Sequence, residues 1–164
     1  MESWDRVLRR EVRQSARIAV IGVGNVGRGD DAAGALVARK LLAGRASPPK
    51  TVLVIDAGNV PENFTGVVRA FKPDLAVIVD SARAGRPPGT VFLVDPAEVA
   101  EEDISTHRIP LSRLARYVRE TMGSRVLILG IEPASLEEGA AVVPAVSRAV
   151  KRVAEALRQT LDAE

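Results

Sequence analysis

The chain has 164 residues, with 23 Lys plus Arg against 21 Asp plus Glu and a net charge of +2, so one domain is expected and no strongly charged partner is implied. Cysteine is absent and His107 is the single histidine, which excludes disulfides, thiolate metal sites, a cysteine nucleophile and any site built on two histidines. Aromatic residues are 3% of the chain, too few for base-stacking platforms, and no apolar run approaches the roughly 18 residues of a membrane span or the core of a signal peptide, so a cytoplasmic protein without nucleic acid or membrane insertion is expected.

Residues 1–16 read as an extra amphipathic helix, with Trp4, Leu8 and Val12 at four-residue spacing. Residues 17–23 are apolar on both faces, as a parallel strand between two helix layers would be. A glycine-rich loop over 22–29 follows, and Asp30 or Asp31 opens a helix whose apolar face carries Ala33, Leu36, Val37, Leu41 and Leu42. A second strand is predicted over 51–55, ending at Asp56, and a short helix over 61–71, with Pro61 suited to its first turn. The third strand is 75–79, ending at Asp80. A Gly-Pro turn over 85–89 leads to a fourth strand at 90–94. That connection is too short for a crossover helix, so strands three and four are expected to pair antiparallel. Helical turns over 95–103, a helix begun by Pro110, a fifth strand over 125–131 and a last helix from Val143 or Pro144 complete the chain.

Strands alternating with helices predict an α/β fold: a three-layer α/β/α sandwich with a five-stranded, mostly parallel sheet and one antiparallel strand. Residues 17–164 would form one domain, and 1–16 an N-terminal helical extension. In such folds ligands bind beyond the carboxyl ends of the strands. The residues to weigh are therefore the loop 22–31, Asp56, Asp80 and Glu132-Pro133, together with the segment Ser105-Thr106-His107 if it reaches the same edge.

Gly22-Val23-Gly24-Asn25-Val26-Gly27 matches G-x-G-x-x-G after a strand, and Asp56 closes the next strand, which is the dinucleotide-binding pattern. Two points oppose that reading. Helix-forming sequence resumes only near Asp30, so free N–H groups would not meet a pyrophosphate. Two adjacent aspartates then occupy the positive end of the helix, where they repel a phosphate. The loop suits the placing of carboxylates better than the cradling of phosphates.

Asp30, Asp31, Asp56, Asp80 and His107 form the candidate constellation. Carboxylates and one imidazole from separate segments can make a metal site with open positions, suited to zinc, nickel, manganese or iron. With no thiolate, affinity for free metal should be modest, and a metal arriving with its own sulfur ligands could be gripped in passing. Structural roles compete: Asp30 as an N-cap, Asp31 at the favourable dipole end, Asp56 and Asp80 as turn residues, and His107 as a cap. Ser81 with His107 does not make a nucleophilic triad, because no G-x-S-x-G elbow is present.

The string from Gly22 to Asp31, with Gly34, resembles the signature loop of the NiFe-hydrogenase maturation endopeptidases. Asp56-Ala-Gly-Asn-Val-Pro-Glu-Asn63, Val77-Ile-Val-Asp80, Ser105-Thr-His-Arg-Ile-Pro-Leu111, Gly130-Ile-Glu-Pro133 and Pro144 are similar to those of the subgroup that processes the hydrogenase-3 large subunit. The resemblance spans about 17–158. It implies a hydrolase that removes the C-terminal extension of a NiFe-hydrogenase large-subunit precursor after nickel insertion. It also implies metal ligands at Asp31, Asp80 and His107, a further acidic position considered catalytic at Asp56, and nickel supplied by the precursor as the recognition element. The purified protein could carry another divalent metal. Gly24 and Asn25 would meet the substrate backbone. Ala32 stands where the family often has glycine, and Asp31 where many members have glutamate; neither removes a ligand. The alternatives are a dinucleotide-binding protein and a non-catalytic chaperone of the same subunit.

Overall fold

A strand covered on both faces is apolar at successive positions, and its alternate side chains enter different cores. Arg17–Val23 does this as β1 of the computed structural model, which describes residues 2–44, 51–95 and 110–163. Ile18 and Val20 enter one core, while Ala19, Ile21 and Val23 enter the other. Leu75–Ser81, β3, repeats the pattern: Leu75, Val77 and Val79 on the first side, Ala76 and Ile78 on the second.

Thr51–Gly58 forms β2, Val91–Leu93 forms β4 and Arg125–Ile131 forms β5. Among the described residues they make a five-stranded sheet in the order β2-β1-β3-β5-β4. The β1–β2, β1–β3 and β3–β5 pairs are parallel, and β4 runs antiparallel to β5. The antiparallel strand is the expected one, but its partner is not β3. β5 occupies the place beside β3 along Asp80↔Gly130 and Ser81↔Ile131, and β4 is pushed to the edge. The α/β sandwich expected from the sequence is the fold observed.

The helices are α1 (Trp4–Arg13), α2 (Ala33–Ala43), α3 (Thr65–Phe71), α4 (Leu111–Met122) and α5 (Pro144–Asp162). Residues of α1, α2 and α5 share the first core, and residues of α3 and α4 the second. Leu8 and Val12 of the N-terminal helix are fully buried and Trp4 packs against the same core, so α1 covers an apolar surface. Two predicted helices begin late. Single 3-10 turns, Gly29–Ala32 and Pro61–Phe64, precede α2 and α3. β2 and β3 run beyond their predicted ends to include Asp56 and Asp80. No described helix is long and apolar enough to cross a membrane. Residues 96–103 of the predicted helical turns, and Ser105, Thr106 and His107, lie outside the described residues.

The chain leaves β1 toward β2 on one side and reaches β3 on the other, so the strand order reverses between β1 and β3. That reversal opens a crevice at their carboxyl ends. α2 is drawn tightly over it. A Cβ on Gly34 would stand 2.0 Å from the Val79 carbonyl oxygen and 2.3 Å from that of Val23. Only glycine permits that approach to both strands.

Candidate active site at the β1–β3 crevice

Asp31 lies in the 3-10 turn that the close helix packing presses against the sheet, and it is 3% exposed. Its Oδ2 accepts the Asn25 N–H at 3.2 Å, and its Oδ1 accepts the Ser81 hydroxyl at 3.2 Å. Asp80, 2% exposed, is the penultimate residue of β3, just before Ser81, and its Oδ1 accepts the Ser81 N–H at 2.8 Å. Ser81 thus joins the two carboxylates, its hydroxyl to one and its main chain to the other. Two buried carboxylates from different segments meet where ligands of such sheets bind.

Asp30 has another task. Its Oδ2 accepts the N–H groups of Ala134 and Ser135 at 2.8 and 3.1 Å, and its Oδ1 accepts that of Val143 at 2.9 Å. The Asp30 N–H donates in turn to the Ser135 carbonyl at 2.9 Å. The carboxylate clamps the segment between β5 and α5 onto the glycine loop. Neither aspartate caps α2, whose N-cap is Ala32 with no side-chain cap bond. The N-cap role open to Asp30 from the sequence is therefore replaced by a long-range one. The 3-10 turn delays the helix start and leaves both aspartates one turn upstream.

Asp56 sits at the end of β2, beside Gly22 of β1. Arg39 of α2 donates from Nε to its Oδ2 at 2.8 Å, and the Gly58 N–H donates to its Oδ1 at 3.2 Å. The Asn25 side-chain oxygen accepts the Gly27 N–H at 2.9 Å, which closes the loop on itself. A Cβ at Gly24 would lie 2.2 Å from the Asp31 carbonyl oxygen, and the Gly24 N–H donates to the Gly58 carbonyl. The glycines of the G-x-G-x-x-G string at 22 and 24 thus accommodate the protein's own backbone and the Ala38 side chain. Glu132, also singled out at a strand end, accepts the N–H groups of Ala84 and Arg86 on Oε1 and secures the 85–89 turn.

The family model for HycI, hydrogenase maturation protease, matches residues 36–160. This chain belongs to the hydrogenase maturation protease family. It is 39% identical over 112 residues to the hydrogenase 3 maturation protease of Escherichia coli K12, covering 68% of this chain and 69% of that one. The crystal structure of a [NiFe] hydrogenase maturation protease HycI from Thermococcus kodakarensis superposes with a TM-score of 0.85 at 35% identity, over 96% of this chain and 99% of that one. The hydrogenase maturating endopeptidase HybD of Escherichia coli aligns with a TM-score of 0.67 at 28% identity, over 88% and 93%. The chain is accordingly a hydrolase.

Of the predicted site residues of this maturation protease, the fold joins Asp31 and Asp80 through Ser81 and sets Asp56 two strands away along the same edge. Asp30 is turned instead to the segment between β5 and α5. Two features were not legible in the sequence. Ser81 as the link depends on the β1–β3 adjacency, and Arg39 as the partner of Asp56 lies 17 residues upstream on α2 with no motif to mark it. Among the described residues no group of three His, Asp or Glu side chains could hold a metal by itself. The donors present are hard carboxylate oxygens, which fit a divalent cation that brings further ligands of its own.

Proposed function

We propose that this protease removes the C-terminal extension of a NiFe-hydrogenase large-subunit precursor after nickel insertion, and that Asp31, Asp80 and His107 engage the nickel carried by the precursor. The observation supporting this is the Ser81 link, which holds two buried carboxylates at the strand-order reversal. A precursor nickel gripped there brings the scissile bond to the crevice, and it supplies Lewis-acid polarisation of the carbonyl or of an attacking water. Asp56, or one of the two buried carboxylates, accepts the proton of that water. Asp56 is suited to it because Arg39 and the Gly58 N–H fix its orientation. Asn25, whose side-chain oxygen is held by Gly27, is positioned to direct its amide N–H to the substrate backbone beside Gly24.

Dependence on nickel follows from this arrangement, because a precursor without nickel offers those ligands nothing to hold. The test is intact-mass detection of tail loss from the cognate precursor, with and without inserted nickel. The expected result is tail loss from the loaded precursor alone, reduced at least about a hundredfold in Asp31→Asn and in Asp80→Asn. Processing at the wild-type rate by either variant would overturn the assignment of that carboxylate, and equal processing of the empty precursor would overturn nickel recognition.

A further inference from the structure

α3 and α4 cover one face of the sheet, and both run from the catalytic edge toward the opposite edge. Thr65 of α3 follows the 3-10 turn beyond β2. Ser124, just after α4, bonds the Pro73 carbonyl next to the start of β3 and so places the far end of α4. Between α4 and the turn that opens α3 lies a cleft of about 460 Å³, lined by Glu62, Thr65, Arg116, Tyr117, Glu120 and Thr121 among others. Arg69 of α3 hydrogen-bonds the Tyr117 hydroxyl and lies over its ring, bridging the two helices beside the cleft.

One oxygen in this lining is anomalous. Glu62 Oε2 is buried and has no hydrogen-bond partner. Its main-chain carbonyl accepts the Thr65 hydroxyl, while Oε2 accepts nothing. A buried carboxylate oxygen without a donor is unfavourable, and native proteins rarely keep one without use. Glu62 stands six residues beyond Asp56, in the turn after β2, so the cleft begins at the same edge of the sheet as the candidate site. Along α4 the lining runs from Arg113 to Thr121, which at about 1.5 Å per residue is roughly 12 Å, the span of about four extended residues.

We propose that the α3–α4 cleft is a subsite for an extended segment of the precursor polypeptide, with Glu62 accepting a hydrogen bond from an N–H donor of that segment. This rests on the protease reading above. Glu62 is a binding residue here, remote from bond cleavage. Its contribution falls on substrate affinity, and the rate of the bound complex is left unchanged.

The experiment measures tail removal and direct binding of the nickel-loaded cognate precursor for the wild-type chain, Glu62→Ala and Glu62→Gln, with thermal unfolding of each. Glu62→Ala is expected to raise KM and weaken binding about ten- to hundredfold at unchanged kcat, with a melting temperature equal to or above that of the wild type. Glu62→Gln keeps the shape and an acceptor oxygen, so it also serves if the alanine variant is poorly folded. Binding by Glu62→Gln close to wild type identifies a main-chain N–H as the donor, whereas binding as weak as that of Glu62→Ala identifies a cationic side chain. KM and binding of Glu62→Ala within twofold of a wild-type chain that cleaves would overturn the subsite and leave the protease reading standing. A wild-type chain that neither binds nor cuts the loaded precursor would remove both.

Discussion

The turns that follow β1 and β2 lie side by side at one edge of the sheet, joined by the Gly24 N–H to Gly58 carbonyl bond, yet they treat their polar groups in opposite ways. In the first, Asp30 accepts three remote N–H groups, Asp31 two donors, and Asn25 closes on Gly27. In the second, Asn59 Oδ1 and Glu62 Oε2 are buried without partners, and Val60 is exposed. The first turn is preorganised, with its carboxylates fixed before any substrate arrives, as electrostatic work requires. The second retains unmet hydrogen-bonding capacity that an incoming chain can satisfy. Damage to the first should therefore register as lost stability, and damage to the second as lost affinity.

The sharpest way to break this contrast is Asp30→Ala. It leaves the N–H groups of Ala134, Ser135 and Val143 without their acceptor, at about 1–3 kcal/mol each. A loss of about 3 kcal/mol or more is expected, lowering the melting temperature by roughly 6–12 °C in a scanning calorimeter. A melting temperature unchanged within error would show that the clamp does not hold the 134–143 segment.

Next comes Gly34→Ala. Its Cβ would fall 2.0 Å from the Val79 carbonyl oxygen, so α2 must lift from the crevice. A destabilisation of about 2–3 kcal/mol is expected by urea titration, together with lower activity, because Asp31 moves with the helix. Intact activity in a folded Gly34→Ala chain would mean that the crevice tolerates a looser α2.

Smaller effects should follow at the pair that holds Asp56 in β2 and at the exposed Val60 of the second turn. Arg39→Ala removes a half-exposed ion pair, so stability should change by less than about 1 kcal/mol. Turnover should fall further than stability suggests, because Asp56 loses the group that orients it; a kcat equal to wild type would argue against a proton-accepting role for a fixed Asp56. Val60→Ser should be the mildest, within about 0.5 kcal/mol of wild type in stability, since the side chain is exposed. A large fall in its melting temperature would contradict the view that the second turn contributes little to the fold.

Much of this architecture is readable from one-dimensional patterning. β1 and β3 show their burial on both faces as unbroken apolar runs, and α4 and α5 show theirs in 3.6-residue spacing. The candidate site was legible only in part. Asp31 and Asp80 stand out because each follows a strand, where α/β folds bind ligands. Asp30 and Asp31, however, are adjacent and chemically identical, and nothing local distinguishes the structural one from the site one. Their separate duties arise because a 3-10 turn aims successive side chains in different directions, one to the 134–143 segment and one to Ser81.

The sequence by itself determined the layers and the approximate places of the strands, because these follow from the local periodicity of apolar residues and from where it stops. Only the tertiary structure decided that β5 lies between β3 and β4, that Asp30 is a clamp, that Arg39 holds Asp56 and that Glu62 keeps an unpartnered oxygen. Each of those depends on residues far apart in the chain being brought together. Pairing of that kind is selected by the packing of the whole sheet and its helices, which no local run of sequence encodes.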